Sequence, residues 1–383
     1  VNTSNHDLRS LFLLDPDIIY LNHGGFGACP RPVFDTYQYW QLELERQPSL
    51  FFSRRAPGLL HEARDSLSAY LGTGPDNLIF VTNATIGGNY VAQSLNLQPG
   101  DEVLTTDHEY GAMDRLWEVV CNRAGARYVR QPIPVPLDSA EDVVETLWQA
   151  VTPHTCVIFM SHVTSPTALI LPVEAVCRRA REAGILTVID GAHAPGQLSL
   201  DLDTLGADFY VGNCHKWMCA PKGAGFLYAR PENQSMIKPL IVSWEIEDDS
   251  PFVRINQWQG TRDLAAFLAV PAAIQFMQAH DWDTIRERCH ALASHLRGQL
   301  CDWYGVAPLT PDSAEWFAQM VAVLLPPTDP VPLQTCLYEE RRVQLSIGTW
   351  HDRLQVRVSV QGYNERGDLD AAFAALTDLL PRR

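Results

Sequence analysis

The chain has 383 residues, 46% apolar and 19% charged, a globular composition that excludes a largely disordered protein. With 29 Lys+Arg against 45 Asp+Glu the formal net charge is −16, which excludes a surface built to neutralise a run of nucleic-acid phosphates. The longest nearly uncharged apolar stretch, residues 264–277, is interrupted by Pro271 and too short to span a bilayer; no basic-then-apolar leader follows Val1. A cytoplasmic protein of two closely joined domains is expected.

From about residue 77 short apolar runs alternate with longer amphipathic ones. Strands are expected at 77–82, 102–105, 127–131, 155–161, 185–189, 207–212 and 225–229, with helices at 85–96, 112–124, 140–151 and 173–183 between the early ones. Such alternation predicts an α/β domain with a mostly parallel sheet covered on both faces. The unbroken apolar runs at 156–160 and 185–189 fit strands buried on both sides. After Pro231 the rhythm changes: an acidic loop at 245–251, helical runs near 264–277 and 284–303, a Pro-rich turn at 326–332, then strands and a helix. Leu354, Val356, Val358 and Val360 alternate with Gln355, Arg357 and Ser359, which puts Arg357 on the polar face of a half-buried strand. A large domain at 20–250 and a smaller α+β domain at 251–383 follow, with residues 1–19 packing on the smaller one. Trp244 and Trp258 either line the substrate entrance or cover the core, and core cover is the favoured expectation.

The nine cysteines are odd in number and scattered, with no C-x-x-C pair, so neither a disulfide framework nor a zinc ribbon is expected. His290 and His295 miss the i,i+4 spacing of two ligands on one helix face, and no metal site is expected.

Ligands of an open α/β sheet bind beyond the carboxyl ends of its strands. One such end reads Val81-Thr82-Asn83-Ala84-Thr85, where small and hydroxyl residues enter a helix and could leave N–H groups for an anion; simple capping by Thr85 explains the same residues. A second ends in Asp190-Gly191-Ala192-His193, a carboxylate at the sheet's lip or an ordinary turn aspartate. A third ends in Asn213-Cys214-His215-Lys216, where a buried lysine would have a lowered pKa and act as a nucleophilic amine, and an exposed one would do neither. A buried amine for an aldehyde, a carboxylate for a pyridine nitrogen and an anion seat are the needs of pyridoxal phosphate chemistry.

At this point the chain resembles, over essentially its whole length, the fold-type I pyridoxal-phosphate enzymes of the aminotransferase class V family, nearest to the isopenicillin N epimerase-like branch. The resemblance rests on Leu21-Asn22-His23-Gly24, Asn83-Ala84-Thr85, His162 to Ala168, Asp190 to His193, Gly212 to Lys216 and Arg357 to Asn364. It implies that Lys216 holds pyridoxal 5'-phosphate as a Schiff base, Asp190 pairs with the pyridine nitrogen, and His193 sits near the ring's phenolic oxygen. It implies further that Ala84, Thr85, Ser165, Asn213 and His215 bind the cofactor, that His108 stacks on the ring, and that a homodimer partner lends Gly260-Thr261 to the phosphate. Arg357 is the implied clamp for the substrate α-carboxylate, with Asn22, His23 and Tyr110 lining that end. The implied activity is amino-acid epimerisation, with carbon–sulfur lyase and aminotransferase as alternatives and a non-catalytic binding module as the remaining class. Similar cysteine desulfurases carry a nucleophilic cysteine about fifteen residues before this arginine; residues 342–354 contain none, which argues against that activity.

Overall fold

A computed structural model describes residues 5–380 and shows an α/β fold with a seven-stranded sheet, a three-stranded sheet and one short two-stranded pairing. The larger sheet has β1 (Leu78–Val81), β2 (Glu102–Thr106), β3 (Arg127–Gln131), β4 (Thr155–Ser161), β5 (Leu186–Gly191), β6 (Phe209–Asn213) and β7 (Gly225–Ala229). Their order across the sheet is 1-7-6-5-4-2-3, and only β7 runs against its two neighbours. Every alternate residue faces a different core: Phe80, Leu104, Ile158, Ile189 and Phe226 look to one side, Val81, Val103, Val157, Val188 and Leu227 to the other. A period of two with both faces apolar therefore has nowhere to sit except between helices, and each such fully buried side chain stabilises by roughly 1.5–3 kcal/mol. Edge strand β1 is shielded, because Gln257 Oε1 accepts the Phe80 N–H at 3.0 Å.

The smaller sheet is antiparallel, with β8 (Met320–Leu324), β9 (Ser346–Trp350) and β10 (Arg353–Ser359) in the order 9-10-8. His351 and Asp352 form the tight β9–β10 turn, both at positive φ, the geometry that matches strand twist in a two-residue hairpin. Helices Pro330–Glu339, Arg366–Leu379 and the 23-residue Trp282–Tyr304 accompany this sheet. Chain before the large sheet also reaches this region, since Ile19 and Tyr20 pair with Val343 and Gln344, and Phe12 packs edge-on against Phe276 and Tyr363. Residues 1–4 lie outside the described part.

Three sequence expectations change. The helical run at 264–277 is two helices, Ala265–Leu268 and Val270–Ala279, with Pro271 opening the second as its ring allows. The polar face of β10 is not turned to water: Gln355 and Ser359 are buried, because that face lies over the ends of the large sheet. Trp244 does not cover the core; it is 84% exposed beside Val242. Trp258 is partly buried against Phe52.

Candidate active site

The carboxyl ends of β5 and β6 open onto a cavity of about 470 Å³, inside the usual range for small-molecule sites. Asp190, the penultimate residue of β5, and Lys216, three residues past β6, both line it. Gly191 between Asp190 and Ala192 is a steric requirement, since a Cβ there would come within 2.0 Å of the Tyr210 ring. Gly27 has the same standing, since a Cβ there would meet the His215 carbonyl.

Lys216 is half-buried, and its pKa falls from 10.5 to about 7 because burial and the Arg357 charge disfavour the ammonium more than Asp190 supports it. The local hydrogen bonds agree. Trp217 Nε1–H donates to His193 Nδ1 at 3.3 Å, which leaves the proton of a neutral imidazole on Nε2. That Nε2 lies 3.1 Å from Lys216 Nζ, so the lysine accepts and is the free amine. Burial holds His193 well below its ordinary pKa, with the Lys216 charge acting in the same direction. Asp190 is also buried, which raises its pKa, while the Ala192 N–H donating to Oδ1 at 2.8 Å opposes this. A cation brought against that carboxylate would reverse the burial cost.

Around the start of helix Ala84–Ser94 the cap is Asn83, whose Oδ1 accepts the Ile86 N–H at 2.9 Å; Thr85 is not the cap. Thr85 sits in the first turn and lines the cavity, as do Ala84, Asn213 and His215. Ala84 has no N–H to spare, because it donates to Asn213 Oδ1 at 2.8 Å. His215 donates Nδ1–H to the Ala224 carbonyl at 3.1 Å, and burial lowers its pKa to about 4.

The opposite wall comes from β10. Arg357 reaches the cavity, donating to Ser165 O at 2.5 Å and Ser165 Oγ at 3.0 Å; its Nε is buried without a partner. Burial lowers its pKa to about 10, which still leaves a full positive charge at neutral pH. Ser165 thus belongs with Arg357. Asn22 and Tyr110 line the same cavity, and the Asn22 Oδ1 is a buried acceptor with no partner.

Two expected residues are elsewhere. His108 does not line the cavity: it is fully buried, its Nδ1 2.8 Å from Thr167 Oγ1 and its Nε2 2.8 Å from the Ile133 carbonyl, with its ring against Trp350. The loop after β2 turns this side chain inward and presents Tyr110 instead. His23 is a brace behind the lysine, its Nε2 2.9 Å from the Lys216 carbonyl and its Nδ1 3.1 Å from the Tyr363 hydroxyl. Thr261 lines a separate hollow with Gln41, Glu45 and Phe52, away from its own chain's Lys216. His162 holds the Tyr210 hydroxyl at 3.0 Å.

Sequence reading missed Gln334 and Ser346 in the cavity wall, and Glu109 beside it. Ser346 could be found only from the pairing that sets it opposite Arg357. Glu109 is buried, accepts from Thr106 and Ser161 hydroxyls at 2.6 Å each, and burial lifts its pKa to about 8.

Comparison with known proteins bears on this geometry. Isopenicillin N epimerase of Amycolatopsis lactamdurans is 38% identical over 99% of both chains. A probable chloroplastic L-cysteine desulfhydrase of Arabidopsis thaliana is 27% identical, covering 96% of this chain and 84% of that one. Among solved structures, the cysteine desulfurase CsdA of Escherichia coli superposes with a TM-score of 0.82 at 22% identity, covering 99% of this chain and 100% of that one. C-DES with glycine covalently linked to its PLP cofactor does so with 0.83 at 22%, covering 98% and 100%. These two likenesses establish the fold. Residues 20–371 match the family described as aminotransferase class-V, and the chain belongs to that family of PLP-dependent enzymes.

Proposed function

We propose that the protein binds pyridoxal 5'-phosphate on Lys216 and epimerises an amino acid at Cα. The observation that carries this is one cavity holding a neutral lysine amine, a buried aspartate and an arginine with an unused donor. The residues fit the cofactor. The Asp190 carboxylate suits a ring nitrogen, the His193 Nε2–H suits a phenolic oxygen, and Thr85 with His215 and the helix N-terminus suits a phosphate. His215 would have to take up a proton to donate there, since its Nδ1–H is already committed.

Bound pyridoxal phosphate supplies an electron sink for the pair left when the Cα–H bond breaks. Arg357 fixes the α-carboxylate with its free guanidinium edge, which limits rotation about Cα. Lys216, an amine at neutral pH, takes the Cα proton at Nζ. Inversion also needs a proton delivered to the other face, and Tyr110, from the loop after β2, is the candidate donor. The full-length likeness to an isopenicillin N epimerase supports epimerisation over other outcomes. Carbon–sulfur lysis is the second reading, favoured by the more distant likeness to a cysteine desulfhydrase. Persulfide formation is disfavoured: residues 342–354, the stretch where similar desulfurases carry their cysteine, contain none, and Cys336 lies in the preceding helix Pro330–Glu339.

The test incubates the PLP-loaded enzyme with D- and L-amino acids and cysteine conjugates. Inversion of configuration supports the proposal; keto acid with ammonia and a thiol or sulfide supports the lyase. Aminated cofactor alone would leave an aminotransferase.

A further inference from the structure

A second cavity of about 410 Å³ adjoins the first, and Tyr110, Ser165, Ser346 and Arg357 line both. Arg357 is therefore the threshold between them. At roughly 30 Å³ per water-sized group, this annex has room for on the order of ten, far more than a methyl or a thiomethyl group would fill. Its floor is one face of the β9–β10 ladder, where Gly348 stands opposite Gln355 and Ser346 opposite Arg357.

The annex is rich in acceptors. Gln355 Nε2 donates to the Pro166 carbonyl at 2.8 Å, which fixes the orientation of the amide. Its Oε1 is then a buried acceptor without a partner, on a side chain 95% withdrawn from water (5% exposed). A buried carbonyl left unpaired costs about 1–3 kcal/mol, so a donor arriving there is favoured. Asp107 and Asp114 also line the annex. Asp107 is paired with His351 at 2.8 Å, and Asp114 accepts from the Tyr128 hydroxyl at 2.7 Å and faces Arg130 at 3.4 Å. Neither leaves a net positive charge that would welcome an anion.

We infer that the annex seats the substrate's side chain and selects one long enough to pass Arg357 and ending in N–H donors, an amide or an ammonium group. The inference rests on the proposed placement of the α-carboxylate at Arg357. Gly348 supplies a test, because a Cβ there meets nothing within 4 Å, so a larger side chain can grow into the annex without disturbing the strand.

The experiment follows Cα hydrogen exchange in D2O by NMR with the PLP-loaded enzyme and L-alanine, glutamine, lysine, glutamate and norleucine. Glutamine or lysine should exchange with kcat/KM at least about tenfold above norleucine and glutamate, and comparison of the two identifies amide or ammonium. Gly348→Phe should lower the favoured substrate at least tenfold more than alanine; Gly348→Val should do so more weakly if the larger variant folds poorly. Gln355→Leu should bring glutamine and lysine down to norleucine. Glutamate or norleucine matching glutamine, or Gly348→Phe and Gly348→Val slowing alanine and glutamine alike, overturns the annex alone. Exchange of no amino acid at all overturns the proposed function and the annex with it.

Discussion

The two walls of the cavity are built on opposite plans. At the ends of β5 and β6 the reactive groups are already satisfied by one another: the Trp217 indole fixes His193, His193 meets Lys216, and Ala192 holds Asp190. On β10 and the chain before it, donors and acceptors are left open, namely Arg357 Nε, Asn22 Oδ1 and Gln355 Oε1. Buried polar groups are costly when unpaired, so the first wall is ready in the free protein and the second is completed by what binds. On the proposed function, the first wall would set reactivity and the second choice.

The largest test of this contrast is Lys216→Ala, which should slow Cα exchange by roughly 10²–10⁴-fold, the contribution of a positioned base. In the parent protein, borohydride should fix the cofactor to the peptide containing Lys216; a label on another lysine breaks the contrast at its first wall. Arg357→Lys comes next. Truncating one side of a buried charge pair costs about 2–5 kcal/mol, so KM for α-amino acids should rise at least tenfold, with cofactor retention unchanged. Amines without a carboxylate should hardly notice, and equal losses for both would make Arg357 a support of the fold.

Tyr110→Phe should separate two rates that a single base cannot, cutting inversion at least tenfold while Cα exchange with solvent persists. Equal loss of both would give Tyr110 no role in choosing a face. Attachment of added pyridoxal phosphate to the apo chain, followed by absorbance, should rise with pH through about 7, because only the neutral amine condenses and the Lys216 pKa lies there instead of near 10.5. A midpoint above 9 would mean the amine is not desolvated.

The smallest effect concerns Glu109, which stands between the walls. Its pKa rises on folding from 4.5 to about 8. The folded state then binds the extra proton between those values, so the stability from this group is full below pH 4.5 and is lost as pH rises through 8. Glu109→Gln should flatten that decline by up to a few kcal/mol, read as Tm against pH. An unchanged slope would assign the decline to other groups.

These contrasts also explain what the sequence could reveal. Period-two apolar runs located all seven large-sheet strands to within two residues, because burial on both faces leaves one solution. Asp190 and Lys216 were legible for the same reason: a polar residue just past such a run can only lie at the sheet's lip. His108 and His23 show the limit. Each follows a strand, but which way a loop side chain turns depends on Thr167, Ile133 and Tyr363, which are far away in sequence. Gln355 and Ser359 looked solvent-facing because alternation cannot tell water from a second layer of protein. The annex needed strand register, which no single segment carries.

One small feature reaches into how the protein is made. The imidazole of His23 touches the carbonyl of Lys216 and the hydroxyl of Tyr363, so three segments that leave the ribosome far apart in time meet on a single ring. A nascent chain that has delivered the whole large sheet holds Lys216 just past its strand end with the brace half built. The final clasp waits for Tyr363, 340 residues after His23. Expression that ends before Tyr363 should therefore yield chains in which the His23 ring lacks one of its two holds, and the lysine's brace is complete only once that residue has been added.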